Sequence, residues 1–191
     1  MGRLYTSIEI NAPPAVVRAK VASYTPAFLD FPTLATYHAN GFINSIAPVN
    51  KGTPPQDLKP GDKLHCGMGH GRLQFISRVV RNDEGEFSWN ANIPEWFPWI
   101  FGGTHFFRFE EIPPAAGVGA ISTGADLGKP NMASGGVRTR LVHGEDFTGW
   151  LAGVYGDGWL ARIVGLKEQG GQGFNEFNAD LKRWVEGGKW R

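Results

Sequence analysis

Residues 73–93, LQFISRVVRNDEGEFSWNANI, decide the kind of fold that the sequence predicts. Two runs rich in β-branched and aromatic residues flank residues 82–85 (NDEG), which are turn formers. In the second run, apolar side chains alternate with polar ones, which is typical of a strand with one buried face. The apolar positions are Phe87, Trp89, Ala91 and Ile93. The stretch therefore predicts two antiparallel strands joined by a hairpin turn.

Further strands are predicted on both sides of this hairpin, over residues 63–70, 104–110 and 137–147. In each of the first two, alternate residues share one strand face that we expect to point inward. These residues are Leu64, Cys66, Met68 and His70, and His105, Phe107 and Phe109. Together the segments predict an antiparallel meander.

Helices are predicted near both ends of the chain. After a strand over residues 4–10, one helical face carries Val17, Val21 and Tyr24 until Pro26 interrupts it, and a second short helix follows over residues 27–31. A last amphipathic helix covers residues 172–185, and the glycines before it favour a late start. This order of elements predicts an α+β fold.

Several motifs resemble the SRPBCC (START/polyketide-cyclase-like) superfamily. They are Leu58-Lys59-Pro60-Gly61-Asp62, the Trp89 strand, Gly103-Thr104-His105-x-Phe107, His143-x-Glu145-x-Phe147-x-Gly149 and Phe174-x-x-x-Asn178-x-x-Leu181-Lys182. The resemblance implies a helix-grip fold, in which a curved antiparallel sheet of about seven strands wraps around a long C-terminal helix. It also implies a cavity for lipids, polyketides or other apolar molecules. We expect one domain over residues 1–191, with a mobile loop at 112–136.

Composition narrows the classes of partner. The 191 residues carry a formal charge of +1 without a run of basic residues, so we do not expect nucleic acid to bind. A lone cysteine excludes an internal disulfide, and no apolar stretch is long enough for a signal peptide or a membrane span. We therefore expect a cytoplasmic protein without stable membrane insertion. The sequence does not predict its oligomeric state.

His105, His143 and Glu145 are the candidate catalytic residues. The two histidines lie on neighbouring predicted strands, and Glu145 shares a face with His143 because of the period of two. If they point inward, they form a polar cluster suited to acid–base catalysis. The alternative is that they only satisfy hydrogen bonds within the fold.

Aromatic and polar residues of the same faces are the candidate ligand-binding residues. Trp96 and Trp99 belong to a stiff aromatic segment over residues 93–101, which is a lid, a contact patch or a plug at the end of the sheet. We predict no metal site, since His65 points opposite to Cys66 and His70. The candidates are Tyr24, Phe28, His38, Cys66, Met68, His70, Trp89, Trp96, Trp99 and Phe107.

Three functions remain compatible with these features. The first is a module that binds an apolar or aromatic metabolite such as a lipid, a polyketide or a terpenoid. The second is a cyclase or dehydratase that acts on a polyketide-like intermediate through His105, His143 and Glu145 and needs no organic cofactor. The third is a transfer or protein-interaction domain that uses residues 96–101 as its contact surface.

Overall fold

The computed structural model describes residues 2–29, 43–50, 52–68, 73–92, 99–113, 136–150, 152 and 166–187. The first strand and the first helix are β1 (Gly2–Ile10) and α1 (Pro14–Leu29). The later elements are β2 (Ile43–Pro48), a 3-10 helix (Pro55–Asp57), β3 (Lys63–Met68), β4 (Leu73–Asn82), β5 (Glu86–Asn92), β6 (Gly102–Ile112), β7 (Arg138–Thr148) and α2 (Leu166–Val185).

The strands form one curved antiparallel sheet in the order β1-β7-β6-β5-β4-β3-β2. Strands β2 to β7 pair in chain order, and β1 joins the edge by pairing with β7. Register shifts between Ile43 and Ser45 and between Val79 and Arg81 mark bulges, which bend the strands that contain them. Helix α2 packs along β1 and β7. The predicted meander and helix-grip architecture are confirmed.

The predicted hairpin turn joins β4 to β5. The Oδ1 atom of Asp83 accepts hydrogen bonds from the backbone N–H groups of Gly85 and Glu86, both at 2.9 Å. An aspartate that bonds the backbone two or three residues ahead holds the chain in a tight turn. Arg18 of α1 reaches the same turn, since its guanidinium donates to the backbone oxygen of Asp83 and to the Asn82 side chain. The turn thereby also positions α1.

The core lies on the concave face of the sheet, under the two helices. The predicted face of β6 is buried there, as are Phe87 and Trp89 of β5, whereas Ala91 is half-buried and Ile93 lies outside the described residues. Phe174, Phe177 and Leu181 of the apolar stripe of α2 are buried as well. Helix α1 contributes Val17 and Val21. The strands and α2 contribute Ile10, Ile46, Leu64, Cys66, Val79, Phe87, Trp89, Phe107, Phe109, Leu141, Phe177 and Leu181.

Two helix boundaries differ from the predictions. Helix α1 continues through Pro26 to Leu29, so the predicted interruption at Pro26 is wrong. Pro26 stands in the last turn of the helix. The hydrogen bond that a proline removes there holds only the helix end, so the rest of the helix is unaffected. Helix α2 begins at Leu166 instead of at residue 172, and Gly170, Gly171 and Gly173 lie inside it. Packing of the apolar stripe outweighs their low helix propensity, which is about 1 kcal/mol each.

Some predicted features lie outside the described residues or partly so. Of the predicted loop at 112–136, residues 114–135 are not described, while Ile112 ends β6 and Gly136 precedes β7. No helix among the described ranges is both long and apolar enough to cross a membrane.

Gly144 in β7 provides a test of how tightly the convex side of the sheet packs. A Cβ atom added there would lie 2.5 Å from the Leu4 carbonyl oxygen and 2.9 Å from Cζ of Phe106. The ring of Phe106 is held over Gly144 while the Arg108 guanidinium covers it at 4.3 Å. A backbone oxygen cannot move aside as a flexible side chain can, so a methyl group forces the strands apart.

We expect Gly144→Ala to lower the free energy of unfolding by about 1–3 kcal/mol, the usual cost of overpacking. Gly136→Ala is the matched control, because nothing lies within 4 Å of its added Cβ. Urea denaturation of both variants measures the difference. Equal stability of the two would contradict the packing described here.

Candidate functional site

The sheet register brings the three candidate catalytic residues together on the concave face. Trp89, His105 and Glu145 are directly opposite one another across β5, β6 and β7. The next row inward places Phe107 opposite His143 and His143 opposite Thr6 of β1. Residues that face each other in an antiparallel pair share a side of the sheet, and diagonal neighbours lie within reach of long side chains. Both histidines are buried, with exposed fractions of 4% for His105 and 3% for His143.

A chain of hydrogen bonds links the two histidines to helix α2 and to β1. His143 Nε2 lies 2.9 Å from His105 Nε2, and His143 Nδ1 lies 3.0 Å from Asn178 Oδ1. On the other side of its amide, Asn178 Nδ2 donates to Thr6 Oγ1 at 2.7 Å. We call this chain, Thr6–Asn178–His143–His105, the polar relay.

The direction of the relay follows from the amide of Asn178. Since its Nδ2 donates to Thr6, its Oδ1 accepts a hydrogen bond from His143 Nδ1. A neutral imidazole has one N–H and one bare nitrogen, so His143 Nε2 is an acceptor. His105 must then carry its proton on Nε2 in order to donate to His143. In the neutral state, His105 Nδ1 is left as an acceptor.

His105 Nδ1 faces the carboxylate of Glu145. The distance from Nδ1 to Glu145 Oε2 is 3.8 Å, which is too long for a hydrogen bond. Nδ1 is fully buried and has no hydrogen-bond partner among the described residues. A buried polar atom without a partner costs about 1–3 kcal/mol. Gly103 makes room for the glutamate, since a Cβ at that position would clash with Glu145 Oε1.

Aromatic rings enclose the two imidazoles. Trp89 stacks on His105 with ring centroids 4.5 Å apart, and Phe107 stacks on His143 at 4.3 Å. Phe174 of α2 lies against both rings, at 5.5 Å from His105 and 4.4 Å from His143. Rings on several sides exclude water, and hydrogen bonds and charges act more strongly in such a low-dielectric place.

Cys66 and Ser77 form a second polar pair on the concave face. The Cys66 Sγ atom lies 3.0 Å from Ser77 Oγ, and both side chains are buried. Burial raises the pKa of the Cys66 thiol to about 12, because the thiolate loses its hydration; the Ser77 hydrogen bond opposes the rise and the charge of Glu145 adds to it. A thiol that stays protonated at neutral pH is a poor nucleophile.

The structure places the candidate ligand-binding residues as follows. Cys66, Trp89 and Phe107 are buried on the concave face. Trp99 is 63% exposed, and its carbonyl oxygen accepts a hydrogen bond from the backbone of Trp150, which is 82% exposed. Tyr24 and Phe28 lie in α1 and Met68 ends β3, but the positions of these three side chains are not described. His38, His70 and Trp96 lie outside the described residues.

Sequence reasoning missed Thr6, Asn178 and Ser77 as members of the site. Asn178 follows Phe174 by four residues and precedes Leu181 by three, so it stands within the apolar stripe of α2. A polar residue in a buried stripe needs a partner, and that signal was present in the sequence. Among the described residues, no group of three or more histidine, cysteine or acidic side chains is placed to hold a metal ion.

The sequence matches no protein-family model, and no curated protein matches it. A solved structure of truncated norcoclaurine synthase from Thalictrum flavum is similar with a TM-score of 0.50 at 9% identity, covering 98% of this chain and 94% of that one. A point mutant of the Thalictrum flavum synthase, in complex with a transition-state analogue, gives 0.50 at 8% identity over 96% and 93%. The Zhui aromatase/cyclase from Streptomyces sp. R1128 gives 0.49 at 14% identity over 98% of each chain. The chain therefore has a helix-grip fold like that of the Thalictrum flavum synthase.

The direction of the relay can be tested by the tautomers of its histidines. At pH 8, where free imidazole is neutral, we expect long-range ¹H–¹⁵N spectra to show His143 protonated on Nδ1 and His105 on Nε2. The exposed His65 is the internal control and should show an average of both forms. The opposite assignment, with His143 protonated on Nε2, would show that the relay runs the other way.

The buried thiol makes the stability of the fold depend on pH in the alkaline range. An ordinary thiol loses its proton near pH 9.0, whereas folded Cys66 keeps it until about pH 12. Between these values the folded state binds more protons than the unfolded state, so stability falls as pH rises, by up to about 1.4 kcal/mol per pH unit. Below pH 9 the contribution of the thiol is constant.

We therefore expect the free energy of unfolding, measured in urea, to fall more steeply between pH 9 and pH 11 for the native chain than for Cys66→Ala. Other titrating groups are common to both proteins, so the difference isolates the thiol. Parallel curves for the two proteins would contradict the burial of Cys66.

Proposed function

We propose that the chain binds an apolar, aromatic-bearing small molecule, such as a lipid, polyketide or terpenoid-like metabolite, between the concave face and α2. The observation that carries the proposal is the buried Nδ1 atom of His105, which has no partner among the described residues and is surrounded by aromatic rings. In this proposal the polar end of the ligand reaches His105 Nδ1 beside Glu145, and the rings of Trp89 and Phe174 contact its apolar body.

The balance of side chains supports binding of a small molecule. Ligand sites are mostly apolar, with a few polar groups that fix orientation. Trp89, Phe107 and Phe174 supply apolar surface here, while His105 and Glu145 supply the polar groups. A bound molecule that bonds to His105 Nδ1 offsets the cost of burying that atom unpaired.

The fold supports the same proposal. The Thalictrum flavum synthase with which this chain shares the helix-grip architecture has been solved with a transition-state analogue bound. That synthase therefore accommodates a small molecule in a fold of this kind. With identity at 8%, the parallel concerns the architecture and not the ligand.

A second candidate function is a cofactor-independent cyclase or dehydratase, and the polar relay favours it. A proton taken up by His105 Nδ1 turns its ring into an imidazolium whose Nε2–H already donates to His143. A charge-assisted hydrogen bond is about twice as strong as a neutral one, so the relay stabilises the charged base. Glu145 is the second acid–base group, and its side chain is 14% exposed.

Native mass spectrometry of freshly purified protein, followed by solvent extraction, tests the binding proposal. We expect a co-purifying apolar compound, and we expect Trp89→Leu to retain at least tenfold less of it. Trp150→Leu is the matched control, since Trp150 is a surface residue. A native protein that carries no small molecule and shows no thermal shift across a panel of lipids and polyketides contradicts the proposal.

Turnover of the extracted compound separates the two candidates. If the chain is an enzyme, it converts the compound, whereas Glu145→Gln binds it and converts it at least 100-fold more slowly. The control is Glu84→Gln, in the exposed turn between β4 and β5. If the native protein binds the compound without converting it, the cyclase or dehydratase function is excluded and the binding function stands.

A further inference from the structure

We infer that the polar end of the ligand is a hydrogen-bond donor, a hydroxyl or an amine, which His105 Nδ1 accepts beside the Glu145 carboxylate. The inference rests on the proposed binding function and adds a chemical class to it. It excludes ligands that present only an ether, a carbonyl or a carboxylate at this point.

The first argument is the direction of the polar relay. Asn178 Oδ1 accepts a hydrogen bond from His143 Nδ1–H, and His143 Nε2 accepts one from His105 Nε2–H. In the neutral state, His105 therefore carries no proton on Nδ1. The relay is anchored at Thr6, two strands away from His105. A group that meets Nδ1 therefore has to bring its own proton.

The second argument is the charge next to this nitrogen. Among the described residues, Glu145 forms no ion pair with a lysine or arginine, and its Oε2 atom lies 3.8 Å from His105 Nδ1. Two acceptors that face each other in a low-dielectric place repel any third acceptor and attract a donor. An ether or carboxylate oxygen placed here would set lone pairs against both groups.

The third argument is that the other polar pair of this face is already satisfied. The Cys66 thiol and the Ser77 hydroxyl bond to each other. They leave Nδ1 of His105, beside the Glu145 carboxylate, as the buried polar atom of this face without a hydrogen-bond partner among the described residues. Trp89 and Phe174 flank His105, so the donor has to be attached to an apolar body.

Three naphthalene probes that differ only in their polar group test the inference. They are 2-naphthol, which carries a donor, 2-methoxynaphthalene, which carries only an acceptor, and 2-naphthoate, which carries a charged acceptor. We expect equilibrium dialysis to show 2-naphthol bound at least tenfold more tightly than 2-methoxynaphthalene. The loss of one hydrogen bond in a buried site weakens binding by about this factor. We expect 2-naphthoate to bind most weakly.

Two variants link the preference to the site. His105→Phe keeps an aromatic ring against Trp89 and removes Nδ1, so the preference for 2-naphthol should disappear. Glu145→Gln replaces a charged acceptor with an amide that also donates, so binding of 2-methoxynaphthalene and 2-naphthoate should improve relative to 2-naphthol. Glu145→Gln also keeps the test decisive if His105→Phe fails to fold. His65→Asn, on the opposite face of the sheet, should retain the native order.

The outcomes separate this inference from the proposed function. Equal binding of 2-naphthol and 2-methoxynaphthalene would overturn the donor requirement and leave the binding proposal standing. A native order that persists in both His105→Phe and Glu145→Gln would place the preference elsewhere and overturn the inference. Failure of all three probes to bind the native protein would count against the proposed function, and the inference would fall with it.

Discussion

The hydrogen bond between Asn178 and His143 joins the long helix to the sheet at the centre of the concave face. It lies in a buried place, where a polar contact is strong when made and costly when broken. Because Asn178 also holds Thr6, one amide fixes the position of α2 relative to β1 and β7. The contacts of the Phe174 and Phe177 rings with the His143 ring depend on the same position.

The polar relay has hydrogen-bond partners at one end and lacks one at the other. From Thr6 to the Nε2 atom of His105, each polar atom of the relay has a partner, while Nδ1 of His105 has none among the described residues. A polar group retained for stability alone would be satisfied throughout or replaced by an apolar one. In the proposed function, this asymmetry determines that His105 Nδ1 is the nitrogen that meets the ligand.

Periodicity in the sequence predicted the sheet, the inward faces of β5 and β6 and the last helix. It did so because the alternation around Trp89 and His105 is regular and the turn formers at residues 82–85 are unambiguous. Helix ends were wrong at Pro26 and before Gln172, since the propensity of single residues is weak compared with packing. For the candidate site, a strand pattern predicts that His143 and Glu145 share a face. The contact between Asn178 and His143 joins a helix to a strand, and no local pattern reports the register between them.

The pairing of β1 with β7 has a consequence for how the chain folds during synthesis. Strands β2 to β7 each pair with the strand next to them in the chain and can assemble as they are made. By contrast, β1 pairs with residues 139–147, so β1 stays without its partner until the intervening strands and β7 have been translated. Such long-range closure is slow, and an unpaired strand edge is a site of aggregation. Arg3 and Glu9 on β1 place charges along that edge, which discourages pairing with another chain during the wait.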